Sequence, residues 1–216
     1  MPQPLTSRTR LLPVPLVPEI SVHRVDDTVG LFDLTGNELR DDRLPPFWAF
    51  VWAGGQALAR YVLDHPEVVA GRRVLDVAAG GGVAAIGAAL AGAASVEAVD
   101  LDPAAGQALL RNAAANGVTV TAHAADVVDR PAVGAEVLLA GDVFYSPTTA
   151  ARMSQFLRAA RRAGATVLVG DPGRGFFPER LFTKRAEYVV PVAAALEETE
   201  ALSTAVWEMR ATYRAG

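Results

Sequence analysis

The chain has 216 residues, 51% of them apolar, and a net charge of −4; with a mean hydropathy of +0.23 it is long enough for one sizeable α/β domain and too apolar for a disordered tail. A pI of about 5.4 offers no global basic footprint to duplex nucleic acid. The absence of cysteine excludes disulfides, thiolate metal sites and thiol nucleophiles and suits a reducing cytoplasm, and His23, His65 and His123 have no metal-ligand spacing, so no metal is expected.

At the N-terminus, Arg8 and Arg10 precede Leu11-Leu-Pro-Val-Pro-Leu-Val-Pro18, whose prolines and the following Glu19 argue against a secretory signal and for an extended arm, with Met1–Pro18 expected to be disordered. Residues before Pro45 read as arm and short strands, which divides the chain into an extension over 1–44 and a domain over 45–216. Gly55–Val69 carries apolar residues at helical spacing and is broken by Pro66. From Arg73 onward, short β-branched runs alternate with Ala/Leu-rich stretches, the pattern of a parallel sheet covered on both faces. Strands are predicted over Arg73–Val77, Ser95–Val99, Val118–His123, Ala135–Ala140, Ala165–Val169, Ala186–Val192 and Ser203–Met209. Helices are predicted over Val83–Ala91, Pro103–Asn116 and Thr148–Ala163, with a further one near Glu179–Lys184. Asp102-Pro103 supplies a cap and a first helical residue, and Asn116-Gly117 supplies a stop. The uncharged span Val77 to Val96 is mostly Ala and Gly and reads as strand, turn and helix, with too few bulky residues to face lipid.

Chemistry begins where Arg73-Val-Leu-Asp-Val77 runs into Ala78-Ala-Gly-Gly-Gly82. Glycines let a ligand approach the backbone, and the helix N-terminus beyond them presents free N–H groups. Asp100, at the end of the second strand, stands where ribose hydroxyls are bound. Gly80-Gly-Gly-Val-Ala-Ala85 also satisfies a dinucleotide G-x-G-x-x-A spacing. Asp76 argues against that reading: it repels a pyrophosphate and attracts an ammonium, which S-adenosylmethionine carries. A purely structural glycine turn is the third alternative. Asp126, at the end of the third strand, is placed for an adenine amino group or, equally simply, for a turn cap.

Asp76, Gly80, Gly82, Asp100 and Asp126, in that order on a seven-strand plan, resemble class I S-adenosylmethionine-dependent methyltransferases. Three longer strings, Pro45-Pro-Phe-Trp-Ala-Phe-Val-Trp-Ala-Gly-Gly-Gln-Ala-Leu-Ala-Arg-Tyr61, Gly141-Asp-Val-Phe-Tyr145 and Gly170-Asp-Pro-Gly-Arg174, resemble the electron transfer flavoprotein β-subunit lysine methyltransferases and their bacterial relatives. The resemblance implies a Rossmann-like, mostly parallel, twisted seven-stranded sheet with helices on both faces and an antiparallel last strand. It implies S-adenosylmethionine as cofactor, S-adenosylhomocysteine as product and that β-subunit as a protein partner, in a bacterial cytoplasm, with no nucleic acid or membrane. Trp52, Asp76, Ala78, Gly80, Gly82, Asp100, Leu101, Asp126, Val127 and Gly141 then line the cofactor site. The Asp-x-x-Tyr motif falls on Asp142 and Tyr145 as catalytic residues, with Trp48, Phe144 and Arg174 on the substrate side.

Asp142 is expected to position the acceptor amine more than to abstract its proton, because a lysine ammonium must become neutral to react while a nearby carboxylate holds it charged. Two departures stand out: Ala78 replaces the usual first glycine, and Ser146-Pro147 stands where relatives carry acids. The second bears on the acceptor. A small-molecule, nicotinamide-like amine remains the alternative substrate, and a non-catalytic cofactor-binding module a further one.

Overall fold

A computed structural model describes residues 8–29, 45–129 and 134–211. Met1–Ser7 of the expected arm and residues 30–44 of the extension lie outside them. The Leu11–Pro18 run is extended, as expected, but it is ordered: β1 (Arg10–Val14) and β2 (Val17–Arg24) form an antiparallel hairpin. Alternation along β2 buries Val17, Ile20 and Val22 in the main core, and hydrophobic burial of that face is what fixes the arm.

The predicted helix after the aromatic cluster is α1 (Ala53–Asp64); His65 caps it, and Pro66 starts a separate 3-10 turn because proline has no N–H to continue the ladder. Five parallel strands follow: β3 (Arg73–Val77), β4 (Ser95–Asp100), β5 (Thr121–Ala124), β6 (Val137–Gly141) and β7 (Thr166–Asp171). The third begins later than predicted, because Val118 N–H bonds Ala113 C=O in closing the preceding helix. Between the strands lie α2 (Val83–Leu90), α3 (Pro103–Ala115) and α4 (Pro147–Arg162).

The helix expected near Glu179–Lys184 is a single 3-10 turn, Glu179–Leu181, and the chain then enters β8 (Phe182–Pro191). Pairing with β9 (Ala201–Met209), which starts with Phe182 opposite Met209, overrides local preference there. A four-residue helix, α5 (Ala194–Glu197), links the two strands.

The seven-stranded sheet has the order β5-β4-β3-β6-β7-β9-β8, and β9 alone runs against its neighbours, lying antiparallel to both β7 and β8. Residues along β6 alternate between two cores: Val137 and Leu139 face α1, α2, α3 and the hairpin, while Leu138 and Ala140 face α4 with Phe144, Phe156 and Leu157. Strand order reverses beside β3, with β4 on one side and β6 on the other. A crevice outside the carboxyl ends of these strands is where open α/β sheets bind ligands. None of the described helices is long and apolar enough to cross a membrane.

Candidate active site

A cavity of about 360 Å³ opens at that reversal, a size suited to one nucleoside-sized ligand. Its donor end is built from short-range backbone capping. Ala78, Gly80 and Gly82 take φ of 54°, 52° and 85°, turning β3 sharply into α2. Only glycine fits at Gly82, because a Cβ there would lie 2.6 Å from Leu109 Cγ. Gly82 therefore shapes the turn from behind and does not line the cavity, whereas Ala78 and Gly80 do.

The Asp100 carboxylate accepts Gly80 N–H at 2.8 Å through Oδ2 and Asp102 N–H at 3.0 Å through Oδ1. Burial pushes its pKa up against those two bonds, and each oxygen keeps a lone pair for a ligand hydroxyl. Asp126 both caps and lines: Oδ1 accepts Val128 N–H at 3.1 Å, and Oδ2 pairs with Arg152 at 2.7 Å. Leu101, Val99 and Val127 complete an apolar slot between the two acids.

Asp76 is a correction. It is 2% exposed, does not line the cavity, and accepts Ala85 N–H at 3.0 Å inside the first turn of α2. It reaches the site only through the turn it holds. Burial, opposed by that one bond, lifts its pKa to about 7.

The acceptor end is assembled differently. Asp142 follows β6 with φ 55°, a left-handed conformation that costs a non-glycine residue on the order of 1 kcal/mol. Its Oδ2 accepts Gly54 N–H at 2.5 Å from the N-terminus of α1, and its Oδ1 accepts Arg174 Nη2 at 2.9 Å. Glycines make this approach possible: a Cβ on Gly54 would lie 2.2 Å from Gly170 O and 2.5 Å from Asp142 Oδ2, and one on Gly141 would lie 2.8 Å from Gly55 N. Burial raises the Asp142 pKa, while Arg174 and the Gly54 N–H pull it down.

Arg174 also donates to both oxygens of Glu197, at 2.7 and 3.1 Å, and lies 5.8 Å from the Trp52 ring centroid. Asp171 Oδ1 accepts the main-chain N–H groups of Gly173 and Arg174 at 2.8 and 2.7 Å, while its buried Oδ2 has no partner and burial raises its pKa to about 6.

Trp52 stands in the wall, as expected, its Nε1 donating to Phe47 O at 2.9 Å, with Phe47 edge-on to Trp52 and 6.4 Å from Tyr145. Tyr145 is 56% exposed at the rim. Trp48 lines the cavity next to the glycine turn, where its carbonyl would lie 3.0 Å from a Cβ on Gly81, so it belongs nearer the donor end than expected. Phe144 is the second correction: it is fully buried and packs edge-on to Phe177 and Phe182, because it joins the core on the α4 side of the sheet with Phe156 and Leu157. Ser146 caps α4, its Oγ accepting Thr149 N–H at 3.2 Å.

Sequence reasoning missed Gly54, Arg152 and Glu197. The Gly54-Gly55 pair signalled a close approach; Glu197, in an acidic linker, carried no signal. The lining fits the expected cofactor chemically. Asp100 and Asp126 offer acceptors to hydroxyl and amino donors, aromatic faces suit a sulfonium, and Arg152, the one cation beside the donor slot among the described residues, is already paired.

Residues 56–141 match the family model of the ribosomal protein L11 methyltransferase (PrmA). The electron transfer flavoprotein beta subunit lysine methyltransferase of Danio rerio is 39% identical over 168 residues, covering 75% of this chain and 65% of that protein, so the chain spans just under two thirds of this relative's length. The Caenorhabditis elegans homolog of that methyltransferase is 30% identical over 187 residues, covering 79% of this chain and 75% of that protein. The crystal structure of Thermoplasma acidophilum 1320 superposes with a TM-score of 0.55 at 18% identity, covering 74% of this chain and 89% of that one, a likeness of fold.

Proposed function

The chain belongs to the electron transfer flavoprotein β-subunit lysine methyltransferase family, and from that premise we propose that it is an S-adenosylmethionine-dependent protein-lysine N-methyltransferase acting on the β-subunit of an electron transfer flavoprotein. The observation that carries the reading is Asp142, held by a helix N-terminus and a guanidinium at the end of a cavity whose other end carries Asp100 and Asp126.

When bound, S-adenosylmethionine supplies a methyl carbon activated by positive sulfur. Asp100 and Asp126 hold the ribose and adenine ends, and Ala78 and Gly80 let the main chain come close. Trp52 and Phe47 screen the acceptor end from water. Asp142 aligns the acceptor nitrogen with its remaining lone pairs. Because both of its oxygens already accept hydrogen bonds, we assign it alignment rather than proton abstraction, and alignment at attack distance is itself a large source of rate. Tyr145 and Phe47, both exposed and both lining the cavity, give the entrance an apolar surface that suits a protein better than a free small amine.

The bacterial, cytoplasmic setting belongs to the same proposal. Its cytoplasmic part rests on the cysteine-free composition and is checked by fractionating cells that express a tagged chain.

The test of function is a transfer assay with tritiated-methyl S-adenosylmethionine, recombinant electron transfer flavoprotein, and lysate split into protein and small-molecule fractions. Label on the β-subunit, lost with Asp142→Asn, is the expected result. Label confined to the small-molecule fraction replaces the protein acceptor with a free amine. No label in any fraction removes the enzyme reading.

A further inference from the structure

Three charged side chains meet at the acceptor end, and their charges do not cancel. The Arg174 Nη2 donates to Asp142 Oδ1 at 2.9 Å and to Glu197 Oε1 at 2.7 Å, while its Nη1 donates to Glu197 Oε2 at 3.1 Å. The side chains of Asp142 and Glu197 are each 10% exposed and that of Arg174 is 21% exposed. Two carboxylates against one guanidinium leave one negative charge where water hardly reaches, and such a charge is costly until a cation joins it.

Among the described residues, no neighbouring group removes the imbalance. Asp171, beneath the same loop, has the same sign, and its Oδ1 is taken by two main-chain N–H groups. Arg152, the other cation lining the cavity, is paired with Asp126. Asp100 and Asp102 lie at the donor end and add no positive charge. Tyr145, at the rim, is a phenol.

The guanidinium is shared unequally. Glu197 receives it as a two-pronged fork, and Asp142 receives one bond; a fork is the stronger and more directional contact. The ring of Trp52 flanks the guanidinium at 5.8 Å and limits its movement.

We propose that Glu197 is a positioning residue: by holding Arg174 in a fork it keeps that cation from neutralising Asp142, and so reserves one carboxylate charge for a monovalent alkylammonium, the form in which a lysine acceptor arrives. This rests on reading the cavity as an N-methyltransferase site, and it assigns the charge balance to a residue outside every motif that marks that site. Glu197→Gln frees Arg174 to pair fully with Asp142 and brings the local sum to zero. Removing both charges with Arg174→Gln and Glu197→Gln together brings the sum back to minus one and leaves an amide to donate to Asp142.

The experiment is an NMR titration of the full chain, saturated with S-adenosylhomocysteine, at pH 8. The probes are n-butylammonium and, as the uncharged control, 1-butanol. Wild type is expected to favour n-butylammonium. Glu197→Gln is expected to weaken it by about tenfold with 1-butanol unmoved, the scale of one lost charge-assisted contact. The double variant is expected to recover to within about threefold of wild type, since the charge sum and not the individual side chains sets the preference.

A merely structural role predicts the opposite order, with the double variant weaker than the single. That order overturns the proposal, as does a Glu197→Gln chain that binds n-butylammonium like wild type, or a wild type that binds both probes alike. Amide spectra of the variants verify that they fold. The charge pattern is read without turnover. A wild type that shows it but transfers no methyl group loses the enzyme reading and keeps this one.

Discussion

The donor and acceptor ends of one cavity are held by different means. At the donor end, each carboxylate has one oxygen capped from two residues away, Asp100 by Asp102 and Asp126 by Val128, and the other held by Gly80 and Arg152, 20 and 26 residues away. At the acceptor end, Asp142 is gripped by Gly54, 88 residues away, and by Arg174, 32 away, which Glu197 holds from a further 23. Local capping sets half of the contacts at the first end. The second exists only when α1, β6, β7 and α5 are all in place. Binding of the donor should therefore tolerate damage that abolishes transfer.

The sharpest way to break that contrast is Asp142→Asn, which keeps the shape but not the charge. Turnover is expected to fall on the order of 100- to 1000-fold with cofactor affinity by calorimetry unchanged; intact turnover would falsify the alignment role. Asp76 probes the donor end from below. Its folded-state pKa is raised to about 7 from an ordinary 3.8, so the stability it contributes is present below about pH 4 and is lost as pH rises through about 7. Urea unfolding of the cofactor-free chain should show Asp76→Asn gaining on wild type between pH 5 and pH 8, by on the order of 3 kcal/mol. A gain independent of pH contradicts the burial argument.

Gly54→Ala tests the glycine contact across the acceptor end. Its Cβ would fall 2.2 Å from Gly170 O, and overpacking of this kind costs about 1–3 kcal/mol. Denaturant melts should record that loss, together with a larger fall in turnover than in cofactor binding. If both fall equally, the two ends are not separable. The smallest effect is expected for Asp100→Asn: cofactor binding about tenfold weaker and turnover at saturating cofactor retained, a split that initial-rate kinetics resolves.

What could be read in advance follows the same division. The strands β3, β4, β6 and β7 were legible because buried parallel strands are continuous β-branched runs bounded by glycines or caps. The donor acids were legible because each stands at such a strand end. Phe144 was misassigned because strand-end residues alternate between cavity and core, and the loop geometry that decides between them depends on Phe177 and Phe182. The segment at Glu179 was misassigned because its partner strand lies at Ala201–Met209, beyond any local window. Disorder was expected over Met1–Pro18, because the order of the described part comes from burial of Val17, Ile20 and Val22 and from bonds that tie the hairpin to Asn116, the C-cap of α3, and to Asn112 within it. The former exchanges bonds with Ser21 at 2.9 and 2.7 Å, and the latter accepts His23 N–H at 2.7 Å.

Composition and periodicity by themselves determined a doubly covered α/β sheet, a glycine turn opening a helix, and the acids at the ends of its first strands, because hydrophobic period and backbone capping act over a few residues. Only the tertiary structure decided that Asp76 serves the turn and not a ligand, that Phe144 is core, and that Glu197 shares Arg174 with Asp142. Those outcomes depend on burial and on charges brought together across the fold, and a carboxylate's role is set by what surrounds it once water has been excluded.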